Sequence, residues 1–131
     1  MTATLTALPG MLDLVLYAGD ATKIQFDLTS GGNPWVAPGT LKAQMRPEYG
    51  STTVYEFTVV ADELVDGRYW VTVPPTAALV VDAPLCSKYV NDDLVTAPMW
   101  QGVWDWQWTE IDASVHTITA GKVTVIGEVT K

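Results

Sequence analysis

The chain is poor in the residues from which enzyme sites and covalent frameworks are built. It has one cysteine, Cys86, so no internal disulfide can form. It has one histidine, His116. One of each leaves the common zinc sites without ligands. Lysine and arginine total seven against fifteen acidic residues, for a net charge of −8. Those basic residues are spread along the chain, and phosphate neutralisation needs them clustered, so nucleic acid is excluded as a partner. No run approaches the ~20 apolar residues of a membrane helix. The opening residues, Met1 to Gly10, lack the basic start and apolar stretch of a secretory leader. A cytoplasmic site of synthesis is expected, with no membrane partner. Ser30-Gly31-Gly32-Asn33 precedes a proline and an extended segment rather than a helix, so it is not a phosphate loop.

What is present is one domain's worth of residues, 131, enough to bury a core without metal or disulfide. Hydrophobic residues make up 48% and charged ones only 17%, a lean charged surface that fits a protein partly covered by partners. The acidity itself serves solubility. β-branched and aromatic residues recur between turn signals about every ten positions, the spacing of short antiparallel strands.

The Thr/Ala-rich start ending in Pro9-Gly10 reads as an arm over residues 1–11, with one domain from 12 to 131. Leu12 to Tyr17 predicts a strand with Leu12, Leu14 and Leu16 on one face. In Ala21 to Thr29, Ile24, Phe26 and Leu28 alternate with Lys23, Gln25 and Asp27. Leu41, Ala43 and Met45 alternate with Lys42, Gln44 and Arg46 until Pro47 stops the strand. Thr53 to Val60 and Arg68 to Val73 follow, the second with Tyr69, Val71 and Val73 on one face. Thr76 to Val81 predicts one or two helical turns capped by Thr76. From Asp82 to Pro98 periodicity is weak, with Asn91-Asp92-Asp93 as an exposed loop. Met99 to Ile111 predicts a long strand, Asp112-Ala113-Ser114 a tight connection, and Val115 to Thr119 and Lys122 to Thr130 the last strands, with a bulge at Gly127. The expected fold is all-β: a two-sheet antiparallel sandwich, immunoglobulin-like or Greek-key, of about seven to nine strands with at most one short helix. A closed barrel is the alternative.

No constellation for catalysis emerges. A nucleophile needs an adjacent base, and a lone His116, read as an outward strand residue opposite Val115, names no reaction. Cys86 reads as a small packed thiol rather than a reactive one, although Lys88 is near. Asp92 with Asp93, or Asp20 with Asp27, falls short of the six to eight oxygens calcium takes. Asp105 and Glu110 point to opposite faces of a strand, which rules them out as a glycosidase pair. Neither an enzyme nor a cofactor nor a metal is expected.

The most distinctive stretch is Trp100 to Trp108. Trp100, Trp104, Trp106 and Trp108 share strand parity and form an aromatic ladder lining the core, with Val103, Asp105 and Gln107 on the other face. A partner-facing ladder or a sugar-stacking platform are the other uses of such rings. Trp35, Tyr49 and Trp70 lie near predicted loops and strand ends. Together with Leu5, Leu8 and Pro9 of the arm they are the candidate interface residues.

Several motifs in this order resemble one family. They are Tyr17-Ala18-Gly19-Asp20 with the alternating strand through Leu28, then Ala43-Gln44-Met45-Arg46-Pro47, then Gly67 before the Tyr69 strand. Trp104-Asp105-Trp106-Gln107-Trp108-Thr109 follows, with Thr117, Thr119, Gly121-Lys122-Val123-Thr124-Val125 and Val129-Thr130. The chain from about Asp13 to Thr130 resembles the LtfC-type β-sandwich family found in virion proteins of phages that infect actinobacteria. The extra tryptophans depart from the family pattern, which often has a non-aromatic residue near Trp106. The resemblance implies a β-sandwich, a place in the virion after assembly in the host cytoplasm, and no catalytic residues. A minor tail, baseplate or fibre-attachment protein is the first expectation, with other virion proteins as partners and a homo-oligomer on the particle. A capsid decoration or head-fibre protein is the second. A carbohydrate-binding module that recognises a host saccharide is the third.

Overall fold

A computed structural model of the protein describes residues 2–5 and 10–127. Its extended segments are β1 (Thr2–Leu5), β2 (Gly10–Met11), β3 (Leu14–Tyr17), β4 (Lys23–Ser30), β5 (Asn33–Pro34) and β6 (Thr40–Arg46). They continue with β7 (Tyr55–Ala61), β8 (Arg68–Thr72), β9 (Leu85–Val90), β10 (Asp93–Thr109) and β11 (Val115–Ile126). One 3₁₀ turn, Ala77–Val80, is the only helix among the described residues. Thr76 does not cap it. Its hydroxyl instead accepts a hydrogen bond from the Gly19 amide at 3.3 Å.

The chain is nearly all β, as expected, but the strands do not divide into two separate sheets. They form one curled mixed sheet in the order β1-β4-β8-β7-β6-β10-β11-β2. β7 makes the corner. Its first half, Tyr55 to Phe57, pairs with β6, and its second half, Thr58 to Ala61, pairs with β8. The sheet is mixed because β1 runs parallel to β4, and β2 and β3 run parallel to β11. β1 and β2 thus lie at opposite edges of the sheet although only residues 6–9 separate them. Five residue steps reach at most about 18 Å, so the end of β1 and the start of β2 lie no farther apart than that.

The curl folds the sheet over an aromatic core. Ile24, Phe26 and Leu28 of β4 are buried on one side. Trp104 and Trp106 of β10 meet them from the other: the Phe26 ring lies 5.2 Å from Trp106 and 6.2 Å from Trp104. Phe57 stacks on Trp104 at 5.9 Å, and Tyr69 meets Trp106 edge-on at 5.5 Å. Alternation in β4, β7, β8 and β10 puts these rings inward, and each ring pair contributes about 0.5–1.5 kcal/mol beyond area alone.

Two expectations in the second half of the chain are corrected. Residues Asp82 to Pro98 contain β9 and the first part of β10, paired as a hairpin from Asp93↔Val90 to Pro98↔Leu85. Asn91 and Asp92 make its two-residue turn with φ of 51° and 69°, a left-handed conformation these residue types tolerate. Alternation was masked because both faces of the hairpin mix polar and apolar residues. Next, Ala120-Gly121 does not break the last strand; β11 runs through it without interruption. Finally, β11 carries a bulge at Ile118, while the expected continuation past Gly127 to Thr130 lies outside the described residues. Trp106 pairs with Thr119 while Gln107 pairs with Thr117, leaving Ile118 extra.

Candidate functional site

The four ladder tryptophans sit on the core side of β10. Trp104 and Trp106 are fully buried, and Trp100 and Trp108 are half-buried at the two ends. Trp104 donates its Nε1 proton to the Leu12 carbonyl oxygen at 2.7 Å. Trp106 Nε1 has no partner among the described residues. The rings are therefore packing elements, not a platform open to ligand.

The other predicted residues scatter. Trp35 is half-buried, with its ring edge-on to Trp108 at 4.9 Å. Trp70 is half-buried: its Nε1 donates to Asp62 Oδ2 at 3.0 Å, and Lys23 Nζ stands 4.9 Å above its ring. The Leu64 amide and the Trp70 indole both donate to Asp62 and hold its carboxyl below the usual range. Tyr49 is open, with 74% of its surface exposed. The backbone of Leu5 lies in β1, while Leu8 and Pro9 fall outside the described residues.

His116 is not outward. It faces Trp108 in the ladder and stacks on its ring at 4.5 Å and 19°, with Nε2 3.6 Å from Glu110 Oε2. Val115 points to solvent instead. Cys86 Sγ donates weakly to the Pro84 carbonyl at 3.5 Å. Asp27 accepts from Arg68 Nε at 2.9 Å and from Gln25. Among the described residues no three His, Cys, Asp or Glu side chains gather as a metal would require.

Two surface features bear on function. The first is the outer face of the β9/β10 hairpin. Its inner face, with Cys86, Val90 and Val95, packs near Met99 and Ile126, and Lys88 Nζ donates to Thr124 Oγ1 at 3.2 Å. That arrangement turns Leu85, Tyr89 and Leu94 outward, with exposures of 64%, 71% and 59%. Leu94 and Tyr89 are directly paired across the strands. Ser87 and Thr96 share a 2.8 Å hydrogen bond between them and Leu85.

The second is a cleft of about 160 Å³ on the outer face of β6 and β10, whose walls include Gln44, Arg46, Tyr49, Asp105 and Gln107. The ladder places Asp105 opposite Gln44, with Val103 opposite Arg46 and Gln107 opposite Lys42. Gln107 Nε2 donates to Asp105 Oδ2 at 2.9 Å. Burial pushes the Asp105 carboxyl above its usual range, against the pull of Arg46 and Lys42. Tyr49 reaches the rim because Pro47 ends β6 and Gly50, at φ 80°, turns the chain back. Outward parity of Gln44, Arg46, Asp105 and Gln107 was legible; their meeting under Tyr49 was not, because register across β6 and β10 sets it.

No family model matches the chain, and no curated protein matches it. Among solved structures four chains match. One is described as the N-terminal domain of phage TP901-1 ORF48, at 13% identity and a TM-score of 0.43, over 98% of this chain and 99% of that one. A superposition this loose fixes neither the fold nor a role for this chain.

Proposed function

We propose that this chain is a non-enzymatic structural protein of a phage virion, a tail-tip, baseplate or fibre-attachment adaptor that works through protein–protein contacts. The observation that carries the assembly role is the outward apolar face of the β9/β10 hairpin. Leu85, Tyr89 and Leu94 stand on a two-stranded arm whose opposite face is anchored to the body. Exposed apolar side chains gathered on one face mark contact surfaces, and tyrosine is enriched at their centres. Among the described residues β9 pairs only with β10, so its other side is an edge that a neighbour's strand can take. The phage setting rests on the order of LtfC-type motifs from Tyr17-Ala18-Gly19-Asp20 to Gly121-Lys122-Val123.

Copies of the chain dock on one another through this face. The test is a series of backbone amide spectra at increasing protein concentration. Shifts that grow with concentration across Leu85 to Leu94, and vanish in the Tyr89→Lys, Leu94→Lys double variant, are the expected result. Spectra that do not change with concentration in the native chain would overturn the reading.

A further inference from the structure

We propose that the cleft formed by Tyr49, Arg46, Asp105 and the amides of Gln44 and Gln107 binds a single neutral pyranose ring of a glycan. It is a binding site separate from the hairpin face and stands whether or not that face makes an assembly contact.

β6 lies between β7 and β10, and β10 here lies between β6 and β11. The backbone groups beneath the cleft are therefore already paired, and no peptide can add as a strand. At about 160 Å³ it is also smaller than the ~300 Å³ at which pockets for drug-sized ligands begin. It has no deep apolar slot to anchor a hydrophobic side chain. The net charge of −8 disfavours nucleic acid.

What it offers is one aromatic face and four planar polar groups. A carboxylate, two amides and a guanidinium each present paired donors or acceptors, the geometry that matches neighbouring hydroxyls on a ring. Gln44 is 7% exposed and held from below by the strands on both sides. The Gln107 bond uses Oδ2 of Asp105, and Oδ1 has no hydrogen-bond partner among the described residues. Arg46 has no carboxylate within 4.0 Å among the described residues, whereas Arg68 on the opposite outer face is engaged by Asp27 at 2.9 Å. The ring of Tyr49, 74% exposed at the rim, is placed to cover the C–H face of a sugar. A rigid pair of central strands fixes these groups in advance, so little ordering is required on binding.

The outer face of β4 and β8 supplies a contrast within the same molecule. It too carries an aspartate, a glutamine, an arginine and an aromatic ring, in Asp27, Gln25, Arg68 and Trp70. There every group is bonded to another, and Lys23 covers the ring. The β6/β10 face, among the described residues, keeps Arg46, Gln44 and one Asp105 oxygen without a side-chain partner around an open space.

The experiment is an NMR titration of the full chain with four probes: the methyl β-glycosides of glucose, galactose and N-acetylglucosamine, and methyl α-rhamnoside. Side-chain amide signals of Gln44 and Gln107 and backbone signals of 46–50 and 103–107 are followed. The expected result is saturable shifts confined to these groups with at least one probe, at a dissociation constant of about 1 mM. Tyr49→Ala should weaken that binding about tenfold, while Tyr49→Trp retains it. Tyr49 is exposed, so both variants keep the fold and the rest of the spectrum. No saturable shift with any of the four, or binding that Tyr49→Ala leaves unchanged, would overturn the proposal.

Discussion

Trp104 and Leu12 are joined across 92 positions of sequence by a 2.7 Å hydrogen bond from the indole Nε1 to the main-chain carbonyl oxygen. The bond ties the N-terminal segment to the middle of the aromatic core. Trp106, two residues on and equally buried, has no such partner among the described residues. Replacing each with phenylalanine separates the polar contribution from the packing one. Trp104→Phe is expected to cost about 1–3 kcal/mol more than Trp106→Phe, because it strands a partly buried carbonyl oxygen. Urea unfolding of the two variants, read at constant slope, measures the difference.

Gly121 makes room for that contact. A Cβ there would stand 2.1 Å from the Leu12 carbonyl oxygen and 2.7 Å from its carbon. These are backbone atoms and cannot swing aside. Gly121→Ala is expected to destabilise the fold by about 1–3 kcal/mol or more, as overpacking does. A thermal melt beside Gly50→Ala separates this close approach from backbone conformation, because Gly50 has open space but a positive φ of 80°.

How far the sequence revealed these features depends on whether one face of a strand was uniformly buried. In β4 the buried Ile24, Phe26 and Leu28 alternate with polar residues, and the strand was plain. In the β9/β10 hairpin Tyr89 and Leu94 face solvent while Lys88 faces the body, so polarity does not report direction. The bulge at Ile118 was equally hidden: it is a matter of register between Thr117, Thr119 and their partners on β10. His116 was misplaced because its polarity suggested solvent, whereas an imidazole can stack on an indole and still reach Glu110. The cleft under Tyr49 combines residues from three parts of the chain, and pairing alone brings them together.

Asp105 gives the fold a pH dependence of definite sign. Burial raises its folded pKa above the ordinary 3.8. The folded state therefore holds the proton more tightly than the unfolded state, and this group's contribution to stability falls as pH rises through the window above 3.8. Asp105→Asn removes that loss while keeping an acceptor for Gln107. The variant is expected to be more stable than the native chain at about pH 7, with the gain shrinking toward about pH 3 as the native carboxyl is protonated in both states. Denaturation midpoints at the two pH values check it; an equal gain at both would show that the charge is not its source.

The assembly role is tested most directly by the mass of the protein in solution, measured by light scattering for the native chain and for the Tyr89→Lys, Leu94→Lys double variant. The variant puts two charges on the paired Tyr89 and Leu94 positions of the face through which copies dock. The native chain is expected to be an oligomer at about 100 µM, a concentration that fills a site of micromolar affinity. The double variant is expected to be a monomer there. A monomer in both forms at that concentration would contradict the assembly role.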